Sequence, residues 1–154
     1  MTIAAVGQKM PRWVNDGYSE YQRRIPTYFG LTITEIPLPR RGRNADTAQL
    51  LQKEAMAIRA ALPKHCVRIA LDISGQQWST GDLARRLQDW QQGGRDVGIM
   101  IGGPDGLDPD LLSSADQVWS LGPLTLPHPV VRIVLAEQLY RAWTITIGHP
   151  YHRD

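Results

Sequence analysis

The segment Gly102–Gly106 has the residue types of a loop that holds a ligand against its backbone. It directly follows an apolar run, and glycine lets the backbone approach a ligand because it carries no Cβ. The segment matches neither the glycine fingerprint of dinucleotide-binding folds nor that of phosphate-binding loops. A tight turn that changes the direction of the chain explains the same residues when they are taken alone.

A second loop, Leu121–Pro127, contains Gly122 and two prolines and leads directly into a long helical pattern. The first turn of that helix has backbone N–H groups without partners in the helix, and it carries the positive end of the helix dipole. This end faces whatever the loop holds, so the pattern predicts that the loop is half of a cofactor pocket. His128 follows the loop and would lie beside the pocket, although a surface histidine that caps the turn fits equally well.

The side chains that suit proton transfer or metal binding are few and scattered. The four histidines and the single cysteine are His65, His128, His149, His152 and Cys66. A zinc site needs clustered ligands at short spacings, so the sequence predicts no metal centre. The tail, residues 148–154, joins two imidazoles to an arginine, which favours a functional tail over the frayed end expected at a terminus. Asp72 and Asp105 could form a carboxylate pair, and the sequence leaves their contact open.

Basic side chains are concentrated in the first third of the chain. The candidates for contact with nucleic acid are Lys9, Arg12, Arg40, Arg41 and Arg43. Three of them stand together in a loop rich in Pro and Gly, and such clusters suit phosphate groups. A solvated surface explains any one of them equally well. The net charge of +2 is too small to indicate nucleic acid, so the expectation depends on this distribution.

The overall composition is that of an ordinary globular protein. A length of 154 residues suits one domain, and 42% hydrophobic with 21% charged residues argues against disorder. No apolar run approaches the roughly 20 residues that a membrane span needs. The N-terminal apolar run is too short for a signal peptide, and one cysteine cannot form an internal disulfide. We therefore expect a cytoplasmic protein.

Short apolar runs alternate with longer amphipathic patterns along the chain. The predicted strands are Thr2–Val6, Leu31–Ile36, Val67–Leu71, Val97–Ile101 and Val118–Leu121. Helices between most of them predict βαβ units, and hence an α/β fold with a single, mostly parallel sheet flanked by helices. Ligands bind beyond the carboxyl ends of such strands. The third strand is expected to end at Asp72, before a turn, so three loops would meet there: 72–75, 102–106 and 121–127.

The last helix is apolar over more than one narrow stripe. Its large apolar residues are Val130, Ile133, Val134, Leu135, Leu139, Tyr140 and Trp143. A helix with so wide an apolar arc either fills the core or is covered by a partner. A two-fold pair of identical chains is the commonest assembly that buries such a surface, so the pattern favours a homodimer.

Taken together, six segments closely resemble the RlmH family of small bacterial enzymes. They read AVGQKMPRW, RRGRNAD, LDISGQQW, IGGPDG, LTLPHPVVRIVLAEQLYRAW and HPYHR, in this order across essentially the full chain. The family belongs to the SPOUT class, so the resemblance implies a single domain over residues 1–154 with a trefoil knot in about residues 67–154. It also implies transfer of a methyl group from S-adenosylmethionine to N3 of a pseudouridine in 23S ribosomal RNA, in assembled ribosomes.

The resemblance also implies which residues form the site. The S-adenosylmethionine pocket would be lined by Leu71, Gly102, Gly103, Leu121, Gly122, Pro123, Leu124, Thr125 and Leu126. Other members carry Ser-Ala or similar at Gly122-Pro123, and binding should survive because these contacts are mainly through backbone. A homodimer is implied, with the tail of one subunit near the cofactor of the other.

The chemistry requires N3 of the base to lose a proton before it attacks the methyl group. A general base typically contributes a factor of roughly 10² to 10⁴. The candidates for that base or a proton relay are His128 and His152, and Arg141 or Arg153 would face the resulting anion or a phosphate. Two alternatives stay open: a methyltransferase of the same class that acts on tRNA, and a non-catalytic module that binds RNA or the ribosome.

Overall fold

The centre of the molecule is one sheet of five parallel strands. The computed structural model describes residues 1–40, 42 and 45–152, and within them the strand order is β2-β1-β4-β3-β5. The strands are β1 (Thr2–Val6), β2 (Thr32–Ile36), β3 (Val67–Gln77), β4 (Val97–Ile101) and β5 (Gln117–Ser120). The predicted α/β class with a parallel sheet is therefore confirmed.

Within the described residues, four α-helices connect these strands and a fifth follows the last strand. They are α1 (Arg12–Arg24), α2 (Thr47–Ala61), α3 (Thr80–Gln92), α4 (Pro109–Ser113) and α5 (His128–Thr146). Asp46 caps α2 by accepting a hydrogen bond from the backbone N–H of Ala48 at 2.9 Å. Ser79 and Asp82 form a reciprocal capping box at α3, which satisfies N–H groups that the helix leaves unpaired.

The helices cover both faces of the sheet, and alternation along each strand decides which face a side chain meets. On β1, Ile3 and Ala5 point into the core beneath α1, α3 and α5. Ala4 and Val6 point into the second core, beneath α2 and α4. Strand β4 is buried at every position, as expected for a central parallel strand. Helix α5 packs between α1 and α3, so its buried side holds the first core together.

The prediction that the third strand ends at Asp72 is wrong. Strand β3 continues to Gln77, with a register shift at which both Leu71 and Gln76 pair with Trp119 of β5. The four residues between them form a wide bulge, closed by hydrogen bonds from the backbone N–H and hydroxyl of Ser74 to Asp72. The sequence shows a turn signal there, but pairing with β5 resumes beyond it, and this pairing is a long-range contact.

Within the described ranges, no helix is long and apolar enough to cross a membrane. The trefoil knot expected in about residues 67–154 stays a prediction.

Candidate functional site

A cavity of about 530 Å³ opens at the carboxyl ends of β4 and β5, beside the bulge of β3. All three predicted loops contribute to its wall. Eight of the nine residues predicted to hold the cofactor line it: Leu71, Gly102, Gly103, Leu121, Gly122, Leu124, Thr125 and Leu126. Pro123, the ninth, is exposed and lies outside the lining. The lining also includes residues that the sequence did not single out for the pocket, among them Ile73, Trp119 and Val131.

The glycine loop after β4 has a shape that only glycine permits at one position. A Cβ on Gly102 would lie 2.3 Å from the carbonyl oxygen of Gly106, because the loop folds back on itself. At Gly106 and Gly122, by contrast, no protein atom beyond the adjacent residues lies within 4 Å of the place where a Cβ would stand. The backbone at these two positions therefore faces open space in the cavity wall and can approach a ligand closely.

The bulge of β3 forms another wall, and Trp119 lies beside it on β5, the strand that pairs with β3. The Trp119 ring is 3% exposed and stacks on Trp78, with ring centroids 4.8 Å apart. Ile73 on the bulge and Leu124 on the loop after β5 are 76% and 75% exposed. Both also line the cavity, so apolar side chains from two walls flank it.

His128 lies in the cavity wall at the first turn of α5, and a buried arginine lies behind it. Arg132 is 2% exposed, and two of its nitrogens lie 3.3 Å from Nε2 of His128. The same guanidinium donates to Oε1 of Glu35 at 2.5 Å and to the backbone oxygen of Gly7 at 2.7 Å. Arg132 thus joins α5 to the ends of β1 and β2.

This environment opposes protonation of His128. Burial lowers the pKa of the imidazole, and the charge of Arg132 lowers it further, against smaller opposite effects of the Gly102 backbone and Glu35. A guanidinium has only donors, so Nε2 of His128 must accept and cannot carry a proton there. The arrangement describes a neutral imidazole with its lone pair already engaged.

The tail packs against the far end of α5. The hydroxyl of Tyr151 donates to Oε1 of Glu137 at 3.2 Å, and the Tyr151 ring meets Tyr140 edge-on at 4.7 Å. Arg141 donates to the same carboxylate at 2.8 Å and lies 4.8 Å from the centre of the Tyr151 ring. The hydrogen bond that Arg141 donates to Glu137 raises the pKa of Arg141, which is a fixed cation. Burial raises the pKa of Tyr151 to about 12.

The predicted catalytic residues are not all brought together within one chain. Arg141 follows His128 by thirteen residues in α5, so a rise of about 1.5 Å per residue separates them by about 20 Å along the axis. His152 lies one residue beyond Tyr151 and hence at the Arg141 end. Arg153 lies outside the described residues.

The candidates for contact with nucleic acid that the structure describes follow β1 and β2. Val6 and Ile36 are partners at the ends of β1 and β2. Lys9 lies in the loop after β1 and has a positive φ of 57°, an uncommon conformation for a residue other than glycine. Arg12 begins α1 and pairs with Asp16 at 3.4 Å, and Arg40 follows β2; all three basic side chains are exposed. Arg41 and Arg43 lie outside the described residues.

Comparison with known proteins identifies the fold family. The family model described as a predicted SPOUT methyltransferase matches residues 1–152. The chain belongs to the SPOUT methyltransferase family. It is 50% identical, over 99% of its length and 97% of the relative, to a "Ribosomal RNA large subunit methyltransferase H" of Thioalkalivibrio sulfidiphilus (strain HL-EbGR7).

A solved structure has a similar fold. It is that of a probable methylase family protein from Haemophilus influenzae Rd KW20, with a TM-score of 0.56 and 10% sequence identity. The match covers 99% of this chain and 70% of the other.

This SPOUT-family chain contains site features that sequence reasoning missed. Arg132 and Glu35 are far apart in sequence, and neither shows a local signal beyond a charge in an apolar pattern. Glu35 alternates with apolar residues in β2 and reads as a solvent-facing position.

In the part of the chain that the structure describes, no three His, Cys, Asp or Glu side chains are grouped so that they could hold a metal ion.

Proposed function

We propose that this chain transfers a methyl group from S-adenosylmethionine to N3 of a pseudouridine in large-subunit ribosomal RNA within the assembled ribosome. The observation that supports this most directly is the cavity at the carboxyl ends of β4 and β5, beside the bulge of β3, lined by three loops of a SPOUT-family chain. The relative that is 50% identical to this chain is named as a large-subunit ribosomal RNA methyltransferase.

The walls of the cavity suit S-adenosylmethionine. Backbone at Gly106 and Gly122 faces open space, where it can meet polar parts of the cofactor. Leu71, Leu121 and Leu126 supply apolar contacts for the adenosine, and pockets of about 300–1,000 Å³ hold ligands of this class. The cofactor, when bound, supplies an electrophilic methyl group. The role of the chain is to hold it, to orient the base and to remove a proton from N3.

The contacts of His128 argue against it as the base for this proton transfer. The Nε2 lone pair of His128 already accepts from Arg132, and burial lowers the pKa of the ring. A general base needs a free lone pair within hydrogen-bond reach of the proton that it takes. His128 then acts as part of the pocket wall, and His152 in the tail stays the other candidate base that the resemblance implies.

A homodimer resolves the separation between the cavity and the tail. The tail is docked at the Arg141 end of α5, about 20 Å along the helix from its own cavity. Val130, Val134 and Arg141 lie on a partly exposed side of α5, where a second copy can cover them. Pairing of two such helices brings the tail of one subunit, with His152 and Arg153, to the cavity of the other.

The RNA would approach over the ends of β1 and β2. Lys9, Arg12 and Arg40 follow these strands at the same edge of the sheet as the cavity, and exposed cations there suit phosphate. A net charge of +2 gives weak attraction for isolated RNA, so we expect the ribosome to supply most of the recognition surface. The corresponding location is the cytoplasm.

Methyl incorporation tests the proposal. Ribosomes from a strain that lacks this gene are incubated with the protein and labelled S-adenosylmethionine, and the labelled nucleoside is mapped. We expect label at N3 of one pseudouridine in 23S rRNA of assembled ribosomes and little label in naked rRNA fragments. Label in tRNA alone would assign the chain to tRNA, and binding to ribosomes without binding of S-adenosylmethionine would support a non-catalytic module.

A further inference from the structure

The contact between Arg132 and His128 defines the charge that the cavity wall presents to a ligand. Two guanidinium nitrogens lie 3.3 Å from Nε2 of His128, and Arg132 is 2% exposed. Because the guanidinium can only donate, Nε2 must accept. A proton on the ring is then carried by Nδ1, and the ring is hydrogen-bonded to the backbone of Gly102, which also lines the cavity.

The other partners of Arg132 hold it in this position. Its NH1 group donates to Glu35 at 2.5 Å, and its NH2 group donates to the backbone oxygen of Gly7 at 2.7 Å. Glu35 lies on β2 and is not part of the cavity lining. The guanidinium is therefore paired at one end and presents its remaining N–H groups to the imidazole.

We propose that Arg132 is a positioning residue that keeps His128 uncharged, so that the cavity accepts the cationic sulfonium of S-adenosylmethionine as readily as the neutral thioether of S-adenosylhomocysteine. The inference rests on the proposed function for its choice of ligand. An imidazolium in this wall would repel the sulfonium and leave the thioether unaffected, which would favour the product over the substrate. A neutral ring avoids that bias near neutral pH.

Other charged groups line the same cavity, and their effect on ligand affinity must be distinguished from the effect of His128. Asp72 and Asp105 line the cavity, and both attract a cation. They are retained when His128 is replaced by Asn, which keeps a polar side chain but does not titrate. The variant His128→Asn is therefore the matched control for every carboxylate near the site.

The experiment measures the affinities of the cofactor-free protein for S-adenosylmethionine and S-adenosylhomocysteine by calorimetry between about pH 5 and pH 8. The quantity of interest is the ratio of the two dissociation constants, because effects common to both ligands cancel. In the wild type we expect a ratio that is constant near neutral pH and rises only at the acid end. In His128→Asn we expect a constant ratio throughout.

In Arg132→Gln, the ring loses the neighbouring cation and protonates at higher pH. The ratio of dissociation constants should then begin to rise at a higher pH than in the wild type. Near pH 6 it should be about tenfold above the wild-type value, because repulsion between like charges in a shielded cavity is of this size. A ratio in Arg132→Gln that follows the wild type at every pH would overturn the proposal. So would a wild-type ratio whose pH dependence survives in His128→Asn.

If Arg132→Gln does not fold, the protonation state of the His128 ring can be measured directly in the wild type. Nitrogen NMR of the wild-type protein without ligand should show the His128 proton on Nδ1 and a pKa below the usual 6.5. A proton on Nε2 would contradict the inference. If the wild type binds neither ligand, the proposed function fails, whereas binding of both with a ratio that never depends on His128 leaves that function intact and rejects only this inference.

Discussion

At the scale of single residues, the site depends on charges that the fold buries. Arg132 is enclosed by His128, Glu35 and the backbone of Gly7, and it is the member of this network with the least contact with water. A buried cation is stable only with its partners in place, because removal of one partner leaves an uncompensated charge. The network therefore couples the stability of the fold to the shape of the cavity wall.

Replacement of Glu35 tests this coupling. Glu35→Ala should lower the free energy of unfolding by about 3 kcal/mol, since it leaves the Arg132 guanidinium buried without its carboxylate. Glu35→Gln keeps an oxygen acceptor and should cost about half as much. Urea denaturation followed by circular dichroism measures both. Glu20→Ala, which removes exposed pairs with Arg23 and Arg24, is the control and should change little.

At the scale of the elements, the bulge of β3 shapes one wall of the cavity. It brings Asp72 and Ile73 to the lining and then returns the chain to pair with β5. Gly75 lies where the two backbones are closest, and a Cβ there would lie 2.7 Å from backbone atoms of Val118 and Trp119. Backbone cannot move aside as a flexible side chain can, so the position requires glycine.

Gly75→Ala should therefore destabilise the protein by about 3 kcal/mol through overpacking against β5. It should also weaken binding of S-adenosylmethionine, because the bulge and Trp119 both line the cavity. Gly81→Ala on α3 is the matched control, since its Cβ would meet only Ser79 Oγ at 3.8 Å. Thermal unfolding should show Gly81→Ala unchanged or about 0.5 kcal/mol more stable. Equal effects of the two substitutions would refute the role of the close approach.

One side of helix α5 packs into the core, and the other side is proposed to contact a partner subunit. Leu135 and Leu139 are fully buried, whereas Val130 and Val134 are only partly buried in the single chain. Val134→Arg should place two like charges near the two-fold axis and shift the protein from dimer to monomer in light scattering. Met56→Arg, on the exposed side of α2, should stay a dimer. A monomeric wild type at micromolar concentration would exclude the proposed assembly.

At the scale of the whole molecule, the cavity and the tail lie at opposite ends of α5. Within the described residues, the tail is held against α5 by Tyr151 and Arg141 through Glu137. In the proposed homodimer, an active site that needs both regions would be built from two subunits.

Complementation between two inactive variants tests the shared site. Leu124→Lys should place a cation at the cavity and prevent binding of S-adenosylmethionine, while a chain without residues 149–154 should bind it and fail to transfer methyl groups. Mixed dimers have one intact cavity facing one intact tail, so random mixing should restore about a quarter of the wild-type activity. Calorimetry on each variant alone verifies its binding state. If mixing restores nothing, the tail acts within its own chain.

Local sequence signals predict the secondary-structure elements and the loops that line the cavity. Apolar periodicity and caps such as Asp46 and Ser79 are local signals, so the five strands and five helices followed from them closely within the described residues. The ordering rule for parallel strands brought three loops to one edge, and the cavity is lined by those loops. The elements and their caps depend on neighbours a few residues away, and the meeting of the loops follows from the general geometry of a parallel sheet.

Which side chains meet depends on the tertiary structure. Glu35 and Arg132 are 97 residues apart, and the continuation of β3 past its turn depends on the edge of β5. His128 has the residue type of a base, but a buried guanidinium engages its lone pair. Such outcomes depend on long-range packing and on the removal of water from charged groups, and neither leaves a periodic trace in the sequence.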